Sequence, residues 1–320
     1  MISMRIIFRA DASPEIGSGH VMRTSVVAEE AILRGHECVF VGAIVNMDWV
    51  RERIESLGFK QIISPNVFMP QEHSQDILFL DSYTIDLRNP LVDRKYWRAI
   101  VLIADALTPP YSNTIAIHPG LREVDLKKQT GQILSGPNYL PIRSSIHKAE
   151  APEINSSPLR VAIVGGGSDP YNFVQEIAES ILTLNVDFRG IFFSNDQIIG
   201  LDSKIHKVVK IGPHFDDLVK DCDAAITTSS TVALEFIARE IPIAVACAVD
   251  NQQDCYRELV ELDLAVPIGI RGNDGIWELN SEQIEKLLGN KSLRGDLRQR
   301  MRGLVDLKGA SRIISRMEKI

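Results

Sequence analysis

Apolar residues come along this chain in short bursts divided by polar, glycine-marked turns. Arg5-Ile6-Ile7-Phe8, 37–42, 76–81 and 99–105 are brief runs rich in aliphatic, β-branched and aromatic side chains. That is the length and content of strands buried in a sheet. Between the first two runs, Val21, Ala28 and Ile32 recur at helical spacing, and the pattern stops at Arg34-Gly35, with glycine in its usual closing position. A second helical stretch over 48–57 halts at Gly58, Gln61-Ile62-Ile63 follows as a short strand, and 113–120 reads as a strand ending in a turn. Residues 148–158 break the alternation: they are polar, aperiodic and carry two prolines, as an interdomain linker would.

After the linker the pattern restarts. Strand 159–164 runs into Gly165-Gly166-Gly167-Ser168-Asp169-Pro170 and then a helix over 173–184. Strands at 190–193, 207–211, 224–227 and 242–246 follow, with a helix near 215–221 and a last one over 309–317. The expected class is α/β, with two Rossmann-like domains whose parallel sheets face each other across a cleft. Their expected bounds are 1–147 and 159–304, with residues 305–320 as a C-terminal helix that can pack back on the first domain.

With 320 residues the chain has room for two domains of about 150 each. Its formal net charge of −7 argues against a nucleic-acid partner. The longest apolar run, 99–104, falls far short of the roughly 20 residues that cross a bilayer. The first residues lack a signal-peptide pattern, so a cytoplasmic protein without stable membrane insertion is expected, and a monomer. Cys38, Cys222, Cys247 and Cys255 are scattered, without the paired spacing of a metal site, and read as buried free thiols.

Chemistry concentrates in three loops. The first, 8–23, leads from a strand through Asp11, Gly17 and Gly19 to His20 and Arg23 at the mouth of a helix. A strand, glycine turn and helix in succession leave backbone N–H groups and a positive helix end facing a ligand. Histidine is the residue type that titrates near neutrality, and a helix mouth lets its side chain point into a cleft. A satisfied loop histidine is the plainer alternative. The second loop is the glycine turn at 165–170. Neither is a dinucleotide fingerprint: the first lacks the third glycine, and Pro170 stands at that place in the second. The Gly-Lys-Ser/Thr of a P-loop is absent as well. The third, Thr227-Thr228-Ser229-Ser230-Thr231, holds more hydroxyls than one helix cap requires. Glu235 lies one turn further on, with Val232 where a capping box would want a hydroxyl. Its carboxylate can accept both hydroxyls of a ribose while the loop holds phosphate oxygens. Asn251 and Gln252 follow the next strand at the same sheet end. Asp81 and Asp105 close core strands where α/β sheets bind ligands, though an aspartate there also caps turns. His36, His73, His147, His206 and His214 sit in polar or turn contexts and are expected at the surface.

Ile16-Gly17-Ser18-Gly19-His20-Val21-Met22-Arg23 resembles the G-x-G-H-x-x-R signature of the PseG-type nucleotide-sugar hydrolases of pseudaminic acid biosynthesis. That family has the two-domain GT-B fold and is related to the glycosyltransferase that makes lipid II. Asp81-Ser82-Tyr83 resembles its D-x-Y, and Gly136, Tyr139 and Arg143 resemble its G-x-x-Y-x-x-x-R. Gly166-Gly167-Ser168-Asp169 resembles its G-G-[ST]-D, and 228–235 with Asn251-Gln252 resembles its uridine-diphosphate site. One departure stands at His118-Pro119-Gly120, where an asparagine is expected.

The resemblance implies hydrolysis of a UDP-linked 2,4-diacetamido-2,4,6-trideoxyhexose to UDP and free sugar, without a metal or other cofactor. It makes His20 the general base, with Asp11, Gly17, Gly19, Arg23, Asp81, Tyr83, Tyr139 and Arg143 toward the sugar. Gly166, Gly167, Ser168, Asp169, Ser229, Ser230, Thr231, Glu235, Asn251 and Gln252 would hold UDP, aided by the positive end of the helix near Phe173. Arg143 can meet a phosphate or a structural carboxylate. Two other functions stay open: a GT-B glycosyltransferase in which the same histidine activates a sugar hydroxyl, and a non-catalytic nucleotide-sugar binder.

Overall fold

The structure is a computed structural model describing residues 3–72, 74–85, 88–104, 114–123, 132–143, 146, 158–181, 184 and 186–320. Asp105, His73, His147 and linker residues 148–157 lie outside the described residues. The chain divides into two units, Met1–Ser144 with Leu307–Ile320, and Ser145–Asp306.

The first unit is built on β1 (Arg5–Ala10), α1 (Gly19–Leu33), β2 (Glu37–Val41), α2 (Asp48–Ser56), β3 (Gln61–Ile63), β4 (Ile77–Asp81), β5 (Ala99–Ile103), β6 (Thr114–His118) and β7 (Gln132–Ser135). Its seven strands run parallel in the order β3-β2-β1-β4-β5-β6-β7. Alternate side chains sort to opposite faces, as the two-residue period of a strand requires. Ile6, Phe8, Phe40, Phe79 and Val101 pack into one core with α1 and α2. Ile7, Val39, Leu78 and Ile100 pack into another with Val92 and Trp97. Burial on both faces explains why these strands are near-continuous hydrophobic runs.

The strand order reverses between β1 and β4, where Ala10 stands opposite Asp81. In open α/β sheets the crevice outside the carboxyl ends at such a reversal is the ligand-binding place.

The second unit repeats the plan with β8 (Leu159–Val164), α3 (Phe173–Ile181), β9 (Phe188–Phe193), β10 (Lys207–Val209), α4 (Phe215–Val219), β11 (Ala224–Thr228), α5 (Thr231–Ala238), β12 (Ile243–Cys247), α6 (Gln253–Glu261), β13 (Ala265–Arg271), β14 (Trp277–Leu279), α7 (Ser281–Gly289) and α8 (Lys291–Met301). Its order is β10-β9-β8-β11-β12-β13-β14, parallel apart from the antiparallel β13–β14 pair. The reversal falls between β8 and β11, again at a glycine loop.

The sequence pattern misses β7, β13 and β14, and gives no warning of α6, α7 or α8. In β13, Pro267 and Gly269 read as strand breakers. The sheet accommodates them at a register shift beside Val245 and Ala246.

The final helix, α9 (Gly309–Met317), belongs to the first unit. Ala310, Ile313, Ile314 and Met317 enter the same core as α1. Arg34, at the end of α1, donates to Ser311, Ser315 and Glu318, and His36 meets Glu318 at 3.1 Å. Gly309 lies against the Leu140 carbonyl so closely that a Cβ there would come within 2.0 Å of its oxygen. His36 and His206, expected at the surface, are both buried, because each is engaged by a neighbouring element. Cys38, Cys222 and Cys247 are buried free thiols, while Cys255 is half-buried. Among the described residues no helix is long and apolar enough to cross a membrane.

Candidate functional site

The reversal in the first sheet gathers His20, Arg23, Asp81 and Tyr83. Helix α1 opens at Gly19, so His20 and Arg23 sit three residues apart on one face of its first turns. Both reach the carboxylate that ends β4. His20 Nδ1 lies 2.6 Å from Asp81 Oδ1. Arg23 donates from Nε to Asp81 Oδ2 at 2.6 Å and from a terminal nitrogen to Oδ1 at 2.8 Å. This forked pairing fixes the plane of the carboxylate. With Nδ1–H donating to Asp81, the ring presents Nε2 as its basic nitrogen. Tyr83 covers the imidazole edge-on, with ring centroids 4.3 Å apart at 80°, and is itself half open to solvent.

The geometry accounts for the spacing of the G-x-G-H-x-x-R motif. It also changes the place expected of Asp81 as a sugar contact. Asp81 is 0% exposed and both its oxygens are occupied, so it stands behind the histidine rather than at a ligand surface. Asp11 is likewise engaged: Arg9 grips it through two bonds of 2.6 and 2.7 Å, and the Ala43 N–H donates to it at 2.8 Å. It thereby ties the loop after β1 to the loop after β2. Arg9 was missed at the sequence level, although an arginine inside an apolar strand two residues before an aspartate was a visible signal. Gly17 has φ 81, whereas Gly19 lies in the helix.

The remaining expected sugar contacts lie elsewhere. Tyr139 packs in a turn of 3₁₀-helix, Pro137–Tyr139, against the α1 and α9 core, and Arg143 is half-buried beyond it. Both follow β7, three strands from β4. The departure at His118 ends β6, and its backbone oxygen accepts from Gly120 and Gly136.

In the second unit, the loop after β8 differs from expectation. Asp169 accepts from the N–H groups of Phe173 and Val174 at 2.9 and 3.0 Å, so the positive end of α3 already holds the chain's own carboxylate. Burial pushes the Asp169 carboxyl above its ordinary value, against the pull of those two amides. A Cβ at residue 165 would fall 1.9 Å from that carboxylate, which is why glycine stands there. Gly166, Gly167 and Ser168 form the rest of the turn.

The loop after β11 behaves otherwise. Ser230 precedes α5 without a side-chain cap bond, so the hydroxyl run is not acting as an ordinary cap. Thr231 and Glu235 stand one turn apart on α5, both half-buried. Ser229 is buried and donates to the Gln252 carbonyl at 3.2 Å, and Gln252 in turn accepts from the Ala248 N–H at 3.1 Å. These two residues lash the β11 and β12 loops together, while Asn251 is exposed.

No family model matches the chain. An uncharacterised protein of Methanocaldococcus jannaschii is 25% identical over 290 residues, 81% of this chain, which spans only 58% of that protein's length. The UDP-2,4-diacetamido-2,4,6-trideoxy-beta-L-altropyranose hydrolase of Campylobacter jejuni is 20% identical over 262 residues, 78% of this chain and 94% of that one. Among solved structures, the calicheamicin glycosyltransferase CalG4 superposes with a TM-score of 0.66 at 12% identity, covering 100% of this chain and 98% of its own. MurG of Acinetobacter baumannii gives 0.66 at 12% identity, covering 99% and 100%. The fold is GT-B. Fold alone does not select the reaction, which has to be argued from the site.

Proposed function

We propose that the chain is a nucleotide-sugar hydrolase, releasing UDP and free sugar from a UDP-linked 2,4-diacetamido-2,4,6-trideoxyhexose. The observation that carries this reading is the His20–Asp81–Arg23 arrangement at the strand reversal of the first unit. The Campylobacter jejuni hydrolase, matched along nearly its whole length, supports the choice of substrate class. In this mechanism Nε2 of His20 takes a proton from water as the water oxygen bonds to the anomeric carbon. The bond from that carbon to the diphosphate oxygen breaks, and UDP departs with the electron pair. Asp81 stabilises the imidazolium that forms, and Arg23 keeps Asp81 in place. Tyr83 and the 11–19 loop lie beside the histidine, where the sugar would sit. In the second unit, Ser230, Thr231 and the uncapped amides of α5 receive diphosphate oxygens. Glu235 accepts the ribose hydroxyls, Asn251 lies at the same sheet end, and Asp169, Ser229 and Gln252 hold the loops in shape.

The alternative is a glycosyltransferase in which His20 deprotonates a sugar hydroxyl, and the glycosyltransferase structural neighbours favour it. Phosphorus and proton NMR on a panel of UDP-diacetamido-trideoxyhexoses, without acceptor, separates the two. Free sugar and UDP from one isomer establish the hydrolase. Turnover only after an acceptor is added establishes the transferase. His20→Ala is expected to lower kcat by about 10²–10⁴-fold while UDP still binds. Full activity in that variant would remove the histidine from the mechanism, and with it this reading.

A further inference from the structure

Strand β13 ends at Arg271, and a turn over 272–276 carries the chain back into β14, where Trp277 stands opposite Arg271. Directly opposed residues of an antiparallel pair point to the same face. Both side chains reach the stretch between the glycine turn and α3. Trp277 donates from Nε1 to the Tyr171 carbonyl at 2.9 Å and packs on Phe173, with ring centroids 5.0 Å apart. The Arg271 guanidinium lies over the Tyr171 ring, 4.6 Å from its centroid. Gly275 makes room for that group, since a Cβ there would come within 2.8 Å of a terminal nitrogen of Arg271.

The guanidinium has a platform but no counter-charge. Other buried and half-buried arginines of this chain meet carboxylates: Arg9 with Asp11, Arg23 with Asp81, Arg34 with Glu318. Arg271 takes part in no ion pair among the described residues, and its Nε is buried without a hydrogen-bond acceptor. The carboxylate of Asp274, in the same turn, accepts the Ile276 N–H at 3.0 Å. A ring face attracts a cation without accepting its N–H bonds as an oxygen would. Buried donors left without an acceptor are rare in folded proteins and call for an explanation.

The position of Arg271 offers one. β8, β11, β12 and β13 are parallel neighbours, so Arg271 stands at the same sheet end as the glycine turn, the hydroxyl loop and Asn251. The residues ascribed to UDP at that end include two carboxylates, Asp169 and Glu235, and no lysine or arginine. A departing diphosphate gains negative charge as its bond to the sugar breaks, and a fixed cation stabilises that charge. We infer that Arg271, positioned by Tyr171, binds the diphosphate of the nucleotide sugar from the side of the glycine turn, an assignment that rests on the UDP-sugar reading above. A planar guanidinium meets two phosphate oxygens at once, and it stays charged at any working pH.

The test titrates UDP by calorimetry into the full chain as wild type, Arg271→Gln and Arg271→Lys, at low and at physiological salt. Arg271 is half-buried at the end of a hairpin strand, so neither change removes a core side chain. Arg271→Gln is expected to weaken UDP binding at least about tenfold and to flatten its salt dependence. Arg271→Lys keeps the charge and loses the fork, and is expected to recover part of the affinity together with the salt dependence. Unchanged UDP affinity in Arg271→Gln overturns the inference and leaves the UDP-sugar reading in place. Equal losses in both variants, with the salt dependence of wild type, reduce Arg271 to packing on Tyr171 and overturn it as well. A wild type that binds no UDP overturns the inference together with the reading on which it rests.

Discussion

Asp81 holds a carboxylate out of all contact with solvent, and two partners of different kinds make that tolerable. Arg23 supplies the opposing charge and His20 the third hydrogen bond. Breaking a buried pair by removing one member strands the other, at a cost of about 3–5 kcal/mol. Asp81→Ala is therefore expected to destabilise the chain by that order in denaturant titration. Arg23→Ala/Asp81→Ala should cost less than the sum of the two single changes, and strict additivity would show that the pair is not coupled. Asp81→Asn keeps the shape and removes the charge. Its expected signature is a fall in kcat of roughly 10²-fold with KM nearly unchanged, since it acts through His20 and touches no substrate. At this scale the sequence was informative about His20, because glycines, a histidine and an arginine at helical spacing can be read from letters alone. It was uninformative about the duty of each partner. Nothing in the order of residues shows that Asp81 is sealed behind the ring or that Asp169 closes the end of α3. Both facts depend on which strand or helix end comes to lie alongside.

At the scale of elements, strands buried on both faces were legible because their hydrophobic runs are uninterrupted. The strand containing Pro267 and Gly269 and the edge strands β7 and β14 were not, although the edge strands β3 and β10 were. Helix α9 was visible from its periodicity, but the face it buries was not. His206 illustrates an element-level dependence on pH. Its Nδ1 accepts the Gly190 N–H at 3.0 Å, and the ring packs against Phe188 and Phe192. Burial pushes its pKa below the ordinary histidine value. The fold thus prefers the neutral ring, and the stability it contributes is complete above the unfolded pKa of about 6.5 and lost as pH falls through and below it. The thermal midpoint should drop from about pH 8 to about pH 5, with a shallower slope in His206→Asn, which keeps an acceptor but does not titrate. Identical slopes in the two proteins would assign the acid sensitivity to other groups.

At the scale of the whole molecule, the first unit is made from both ends of the chain. Ile313 is fully buried in the core shared by α1 and α9. Ile313→Ala is expected to cost about 2–5 kcal/mol. The loss should show in the fluorescence of Trp49 and Trp97, which belong to that unit, and leave the Trp277 signal of the other in place. Single-tryptophan variants followed in urea distinguish the two, and equal shifts at all three positions would mean that the units melt as one. The placement of α9 also has a bearing on synthesis. On the ribosome the seven strands of the first sheet emerge early, yet one side of their core has to wait until the stretch from Gly309 to Met317 has been translated. The second unit has all its own residues before that moment. The core of the unit that carries His20 is therefore completed only after every residue of the other unit has been made.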